Sequence, residues 1–192
     1  MNVKSNVLPD DFDERGLLPP GEYEVSFQEL RQSLLVRGPR TPVPHWNDEW
    51  RWYLTQQAET MVDQLWAVGI QDVYLDGSFV EDKPKPNDID GYFVCDLWSL
   101  ADGSLTRALN LLDPRKVWTW DPRSRMPYHG YTKKQLPMWH AYRVELYPHV
   151  GQGCGIYDQF GHELQFPSAF RQRRGTCEPK GIVKIRLPPR EP

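Results

Sequence analysis

Asp88 and Asp90 are the residues whose type and spacing most directly suggest chemistry, because they open the apolar run 89–95. Side chains at positions i and i+2 of a strand point to the same side, so both carboxylates share one face, with Cα atoms roughly 6.5–7 Å apart. Like charges that close repel each other unless a cation lies between them. Carboxylate oxygens suit Mg²⁺ or Mn²⁺, so the pair predicts a divalent-metal site. Taken alone, an Asp-x-Asp pair is also typical of a solvated turn.

Gly77 and Ser78 give the two aspartates a structural context. They follow the short apolar run 73–75, which predicts a buried strand that ends in a tight turn. Gly77 lets a phosphate approach the backbone, and Ser78 offers a hydroxyl where a helix N-terminus would favour anions. We therefore expect a phosphate-binding turn at these two residues.

This order of features, a Gly-Ser turn, a spacer and Asp-x-Asp on the next strand, resembles the active-site signature of the DNA polymerase β-like nucleotidyltransferase superfamily. Here nine residues separate Ser78 from Asp88. The resemblance implies an α/β (α+β) fold in which helices flank a mixed central sheet. It also implies an enzyme that moves a nucleoside monophosphate from an NTP to a hydroxyl, with Mg²⁺ or Mn²⁺ held by Asp88 and Asp90. Gly77 and Ser78 would then hold the β- and γ-phosphates.

Three further segments, 18–24, 76–83 and 179–185, are similar to a prokaryotic nucleotidyltransferase-like family of unknown function, and the similarity covers most of the chain. The wider relatives include toxin–antitoxin nucleotidyltransferases that modify tRNA ends or proteins, and members associated with defence. The resemblance therefore implies an NTP as donor and RNA, such as tRNA, or protein as acceptor. A toxin–antitoxin partner protein is a further candidate partner.

Enzymes of the superfamily usually carry a third acid on a later strand, and Glu145 is the candidate for this metal-ligating and catalytic role. An acid between apolar neighbours is costly unless it is paired or binds metal. The alternative is an ion pair with Arg143 on the same strand face. The superfamily more often has Asp here, and Glu is longer. Lys83, on the loop between the turn and the aspartates, is predicted to bind the triphosphate, with solvent exposure as its alternative.

Composition favours one packed domain. The chain has 192 residues, 39% of them hydrophobic, which is enough to bury an independent core. We predict a single nucleotidyltransferase-like domain over residues 1–192, with an N-terminal extension over 1–45 and a core over 46–192. No apolar run is long enough for a membrane span, and we expect no secretory signal, because the N-terminal residues contain no apolar stretch. Three cysteines without a Cys-x-x-Cys pattern argue against a disulfide framework or a zinc site, so a cytoplasmic protein is expected.

Charge is distributed unevenly along the chain. The net charge of −3 makes no general case for nucleic-acid binding. Residues 165–192 carry seven basic and two acidic side chains, so this C-terminal basic segment is +5 and the rest of the chain is −8. Such a patch can bind a triphosphate or an RNA backbone, or it can be an ordinary solvated surface. We predict that it lies near the active-site cleft and contacts an anionic partner.

Helices and strands must position these residues. Apolar residues at helical spacing predict a helix over 47–68 that packs across one face of the sheet. Strands are predicted over 73–75, 89–95 and 139–147, as neighbours in one sheet, and the last of them carries Glu145. Further predictions are helices over 26–36 and 104–112, strands over 117–120 and 180–186, a turn at 151–155 and a long loop over 121–137.

Three classes of function stay open for such a chain. An active nucleotidyltransferase turns NTP over. A non-catalytic protein of the same fold, acting as an antitoxin, a partner-binding module or a nucleotide sensor, binds without turnover. A purely structural Asp-x-Asp in another α/β fold does neither.

Overall fold

A six-stranded mixed sheet organises the chain in the computed structural model, which describes residues 4–5, 7–130 and 132–187. The strand order is β1-β2-β8-β3-β4-β5, in which β8 runs antiparallel to β3, β3 antiparallel to β4, and β4 parallel to β5. A separate two-stranded hairpin consists of β6 and β7. The bounds are β1 (Lys4–Ser5), β2 (Glu22–Val25), β3 (Val73–Asp76), β4 (Ile89–Val94), β5 (Val144–His149), β6 (Gly153–Tyr157), β7 (Glu163–Gln165) and β8 (Ile182–Ile185).

Helices flank this sheet, so the predicted α/β fold with a mixed central sheet is confirmed. The longest helix starts at the cap Asn47, whose side chain accepts a hydrogen bond from the Trp50 amide, and it ends before Gly69, as the pattern predicted. None of the helices in these described ranges has the length and apolar character that crossing a membrane requires. The bounds are α1 (Phe27–Gln32), α2 (Leu34–Arg37), α3 (Asp48–Ala67), α4 (Leu97–Ala101), α5 (Ser104–Leu112), α6 (Pro137–Tyr142) and α7 (Phe166–Ala169).

The two faces of the sheet differ in chemistry because side chains alternate along each strand. One face is apolar and joins the buried core with α3, through residues such as Leu75, Phe93 and Leu146. The residues between them point to the other face. That face carries acids and tyrosines, and it is the face on which the candidate site lies.

Strands β3, β4 and β5 are sheet neighbours, as predicted, but residues 139–142 belong to α6 and not to a strand. Pro137 occupies the first helical position, where its missing N–H costs nothing, and Arg143 ends the helix in the left-handed conformation. The predicted strand over 117–120 is also wrong. The amides of Val117 and Trp118 donate to the side chains of Asp113 and Asn110, which replaces strand pairing.

Three smaller predictions need adjustment. The helix predicted over 26–36 has the expected capping box between Ser26 and Glu29, but it breaks at Ser33, whose hydroxyl caps α2. The turn predicted at 151–155 runs into β6. The helix over 104–112 and the late strand within 180–186 are confirmed as α5 and β8.

Candidate active site

Three acids lie side by side on the polar face of the sheet. Asp76 on β3 is the register partner of Asp90 on β4, and Asp90 is the register partner of Glu145 on β5. Because register partners on adjacent strands point to the same side, the three carboxylates form one row, here called the acid row. Asp88 comes two residues before Asp90 and extends this acidic patch. The predicted proximity of Glu145 to the two aspartates is confirmed.

Glu145 is buried, and both of its carboxylate oxygens already accept hydrogen bonds. The Leu136 amide donates to Oε1 over 2.9 Å, and the Tyr147 hydroxyl donates to Oε2. The Arg125 guanidinium lies 3.4 Å from Oε1. The alternative partner, Arg143, is therefore wrong: its guanidinium lies over the Trp139 ring, 3.9 Å from the centroid. Glu145 is a charge-compensated acid that holds Arg125 and Tyr147.

Asp90 is in the opposite situation. Among the described residues no side chain or backbone amide donates a hydrogen bond to its carboxylate. Burial, followed by the negative charges of Asp88 and Glu145, raises the pKa of Asp90 to about 8. Burial also raises the pKa of Asp88, although the Trp139 indole N–H donates to its Oδ2 over 2.6 Å and opposes the shift. Asp90 therefore needs a proton or a cation beside it.

Asp76 connects the acid row to the C-terminal basic segment. The Lys180 ammonium, itself buried, lies 3.2 Å from Asp76 Oδ2, 3.1 Å from the Gly77 carbonyl oxygen and 3.3 Å from Glu81 Oε1. Burial raises the pKa of Asp76 to about 7, and the charge of Lys180 opposes that rise. The second oxygen, Oδ1, is buried and accepts no hydrogen bond. One oxygen of Asp76 is thus left without a donor among the described residues, on the strand next to Asp90.

Gly77 holds the turn against the acid row. Its φ of +76° is in the left-handed region, and a Cβ at this position would lie 2.7 Å from Asp90 Oδ2. Only glycine allows this backbone to pass so close to the carboxylate. The predicted helix start at Ser78 is a single turn of 3-10 helix over Gly77–Val80.

Arg51 fixes the loop that follows this turn. Its fully buried guanidinium donates to four backbone carbonyls, and burial lowers its pKa to about 9. It also stacks on Trp46, 3.9 Å from the ring centroid. One buried side chain of α3 therefore fixes the backbone of the loop between the turn and the aspartates. The four carbonyls belong to Leu35, Phe79, Glu81 and Lys83, at 2.6 to 2.9 Å.

A cleft of about 660 Å³ opens over the acid row. Asp90, Gly77 and Ser78 line it, whereas Asp88 and Glu145 lie next to the lining residues. The predicted position of the C-terminal basic segment at this cleft is confirmed for part of it. Lys83 is exposed and lies outside the lining. The cations that line the cleft are Arg125, Lys133, Arg173, Arg174 and Lys180.

The donor set fits a hard divalent cation. Asp88 and Asp90 provide carboxylate oxygens on one face, and the Asp90 carboxylate accepts no hydrogen bond from the part of the chain that the structure describes. Mg²⁺ typically uses one or two protein carboxylates and takes its other ligands from water and substrate phosphates. Within the described ranges, no three Asp, Glu, His or Cys side chains gather closely enough to form a complete metal site. Asp88 and Asp90 are therefore the residues that could hold the ion, with a nucleotide completing the ligands.

Comparison with known proteins places the chain in one family. Residues 10–186 match the family of unknown function DUF6932. The chain belongs to this family. Neither the curated proteins nor the solved structures contain a match. The description of DUF6932 names no activity, so the function of this family member has to be argued from its site.

Four site residues of this DUF6932 member were not singled out by the sequence: Arg51, Asp76, Arg125 and Lys133. Arg51 carried a readable signal, because it lies at helical spacing from Leu54 and Ala58 and so falls on the buried stripe of α3. The other three belong to the site only through strand register or a long loop, which no local pattern reveals.

Proposed function

We propose that the protein is a metal-dependent nucleotidyltransferase that moves a nucleoside monophosphate from an NTP to a hydroxyl on RNA, such as tRNA, or on protein. A toxin–antitoxin or defence module is the proposed setting. The observation that carries this proposal is Asp90: a partly buried carboxylate to which no described residue donates a hydrogen bond, beside Asp88 and directly under the Gly77 turn, in a cleft lined by cations.

In the proposed reaction the acceptor hydroxyl oxygen attacks the α-phosphorus of the NTP. The bond between the α-phosphorus and the bridging oxygen breaks, and pyrophosphate leaves with the bonding electrons while the hydroxyl proton passes to solvent or to a carboxylate. Such a reaction depends on positioning and on neutralising charge. Asp88 and Asp90 would hold Mg²⁺ or Mn²⁺, which supplies positive charge at the phosphates when bound.

The other site residues position the substrate in this proposal. Gly77 and Ser78 hold the β- and γ-phosphates at the turn that Arg51 and Lys180 fix. Lys133 and Arg174 line the cleft from two different segments, and no described carboxylate forms an ion pair with either. These two cations are the proposed ligands of the triphosphate, and the charge of Lys133 also acts on Asp88 and Asp90. Arg171 and Arg173 are already paired, with Glu22 and Glu178.

A second candidate function is favoured by the state of Glu145. Both of its oxygens are occupied, so Asp88 and Asp90 are left without a third free carboxylate on the neighbouring strand β5. A protein with this site can bind a nucleotide and its metal without turning the nucleotide over. It would then act as an antitoxin, a partner-binding module or a nucleotide sensor.

Label transfer distinguishes the two functions. The protein is incubated with each α-³²P-labelled NTP, Mg²⁺ or Mn²⁺, and total RNA or cell extract, with Asp90→Asn as the matched variant. Transfer of label to RNA or protein by the wild type alone supports the enzyme and names the acceptor class. Nucleotide binding without transfer supports the sensor. Neither binding nor transfer overturns both proposals.

A further inference from the structure

The cleft has an aromatic side as well as an ionic one. Along β3, β4 and β5, the residues two positions from the acid row on the same face are Tyr74, Tyr92 and Tyr147, again in register. Tyr74 and Tyr92 stack with ring centroids 4.6 Å apart. The acid row and this tyrosine row are therefore neighbours, separated by roughly 6.5–7 Å along each strand.

Two phenylalanines from α7 and its C-terminal end cover the tyrosine row. Phe166 stacks on Tyr147 with centroids 5.4 Å apart and an interplanar angle of 20°, and Phe170 lies 5.7 Å from Phe166. Tyr147, Phe166 and Phe170 all line the cleft and are only partly buried. We call these three residues the aromatic wall.

The aromatic wall differs from the aromatic residues of the core. Trp118 and Trp139 are fully buried, whereas Phe166 and Phe170 keep part of their ring surface open to the cleft. The charged residues of the cleft lie at the acid row, the Gly77 turn and the cationic segments. A ligand that fills the cleft therefore meets charged groups and aromatic rings, and the two meet at Tyr147, whose hydroxyl accepts a hydrogen bond from Arg125.

We infer that the aromatic wall binds the nucleobase of the donor nucleoside triphosphate by stacking, with Phe166 as its principal platform. This inference rests on the proposed function, because the triphosphate at the acid row determines which ligand reaches the wall. A nucleotide has the matching chemistry: an anionic chain at one end and a flat π system at the other. Base–aromatic stacking changes affinity by roughly tenfold per base and tolerates every base.

Phe166→Leu tests the platform, because leucine keeps apolar volume but removes the ring. Phe160→Ala is the matched control: Phe160 precedes β7 in the same segment, is 75% exposed and does not line the cleft. Binding of ATP, GTP, CTP, UTP and inorganic tripolyphosphate is measured calorimetrically with Mg²⁺. The wild type should bind NTPs about tenfold more tightly than tripolyphosphate. Phe166→Leu should remove most of that difference and keep the affinity for tripolyphosphate within twofold of the wild-type value. Phe166→Trp should restore the preference for NTPs.

Three results would overturn the inference. Phe166→Leu weakens the binding of NTP and of tripolyphosphate equally, it weakens neither, or Phe160→Ala loses the same NTP affinity as Phe166→Leu. Label transfer separates this outcome from the fate of the proposed function. If transfer occurs, Phe166→Leu should raise KM for NTP and leave kcat unchanged. If the wild type shows the NTP preference but no transfer, the inference about the aromatic wall is supported and the enzyme proposal fails. If transfer occurs without the NTP preference, only base stacking on the aromatic wall is excluded.

Discussion

Asp76 and Asp90 are register partners on the antiparallel strands β3 and β4, so the buried carboxylate of Asp76 and the partly buried carboxylate of Asp90 lie next to each other on one face of the sheet. The pKa of Asp76 is raised to about 7 and that of Asp90 to about 8, in both cases mainly by burial. The fold therefore holds together two groups that would be ionised and apart in the unfolded chain.

The first prediction is that the metal-free protein loses stability as pH rises from about 4 to about 8. In this range the folded state keeps protons on Asp76 and Asp90 that the unfolded state, with pKa values near 3.8, has released. The folded state binds more protons, so the free energy of unfolding falls with pH. Thermal melts in EDTA at one-unit steps measure this. Asp90→Asn should flatten the dependence, and a wild-type melting temperature that rises over this range would contradict the prediction.

The second prediction concerns metal. Mg²⁺ or Mn²⁺ with NTP should raise the melting temperature of the wild type, because the unfolded chain has no preformed site. Asp88→Asn should be as stable as the wild type in EDTA, or more so. Asparagine can still accept the Trp139 hydrogen bond, and it removes one repelling charge. The variant should gain less from metal and lose nucleotidyl transfer by orders of magnitude.

Strong destabilisation of Asp88→Asn in EDTA would instead identify a structural carboxylate. A wild type that shows no metal-dependent shift, even with nucleotide present, would contradict the catalytic proposal itself.

The sequence predicted the part of the site that is local. The Gly77 turn and the spacing of Asp88 and Asp90 are short-range patterns. The structure places Gly77 directly after β3, Asp88 directly before β4 and Asp90 on β4. Glu145 was placed correctly on its strand because an acid among apolar neighbours stands out. The remaining site depends on register, and strand register is decided by packing rather than by neighbours in sequence.

Two other residues show why the rest could not be predicted. Lys180 is about a hundred positions from Asp76 and meets it only because β8 lies beside β3. Trp139 was assigned to a strand from its composition, whereas Pro137 two positions earlier favours a helix start, and the structure has the helix α6. Long-range strand pairing therefore hid the first contact, and two conflicting local signals hid the second element.

The third prediction separates free from paired cations in the C-terminal basic segment and the facing loop. Arg174→Ala and Lys133→Ala should each weaken tripolyphosphate binding about two- to fivefold and lower its salt dependence, because both cations line the cleft without an ion-pair partner among the described residues. Arg171→Ala is the control, since its guanidinium pairs with Glu22 over 2.6 Å. Equal effects from all three, measured by calorimetry at several salt concentrations, would mean that the segment acts only through its total charge.

The fourth prediction concerns Arg51. Arg51→Met should lower the free energy of unfolding by about 3 kcal/mol or more, because it leaves buried carbonyls without donors. The free energy of unfolding of Arg51→Lys should fall between those of the wild type and Arg51→Met, since an ammonium cannot reproduce the planar fork of donors. Urea unfolding measures both. Arg107→Met, an exposed substitution on α5, should change stability by less than about 0.5 kcal/mol. Comparable losses at Arg51 and Arg107 would contradict this role.

The position of β8 between β2 and β3 governs the order in which the protein can be assembled during synthesis. Strands β3, β4 and β5 can pair once residue 149 has left the ribosome, but the free edge of β3 has to wait for residues 182–185. An open edge of this kind invites pairing with other chains. The same late segment brings Lys180 to Gly77, so the nascent chain can complete its cleft only after residue 180 has left the ribosome. The central sheet and the cleft are therefore completed together, by one segment that is synthesised more than thirty residues after β5.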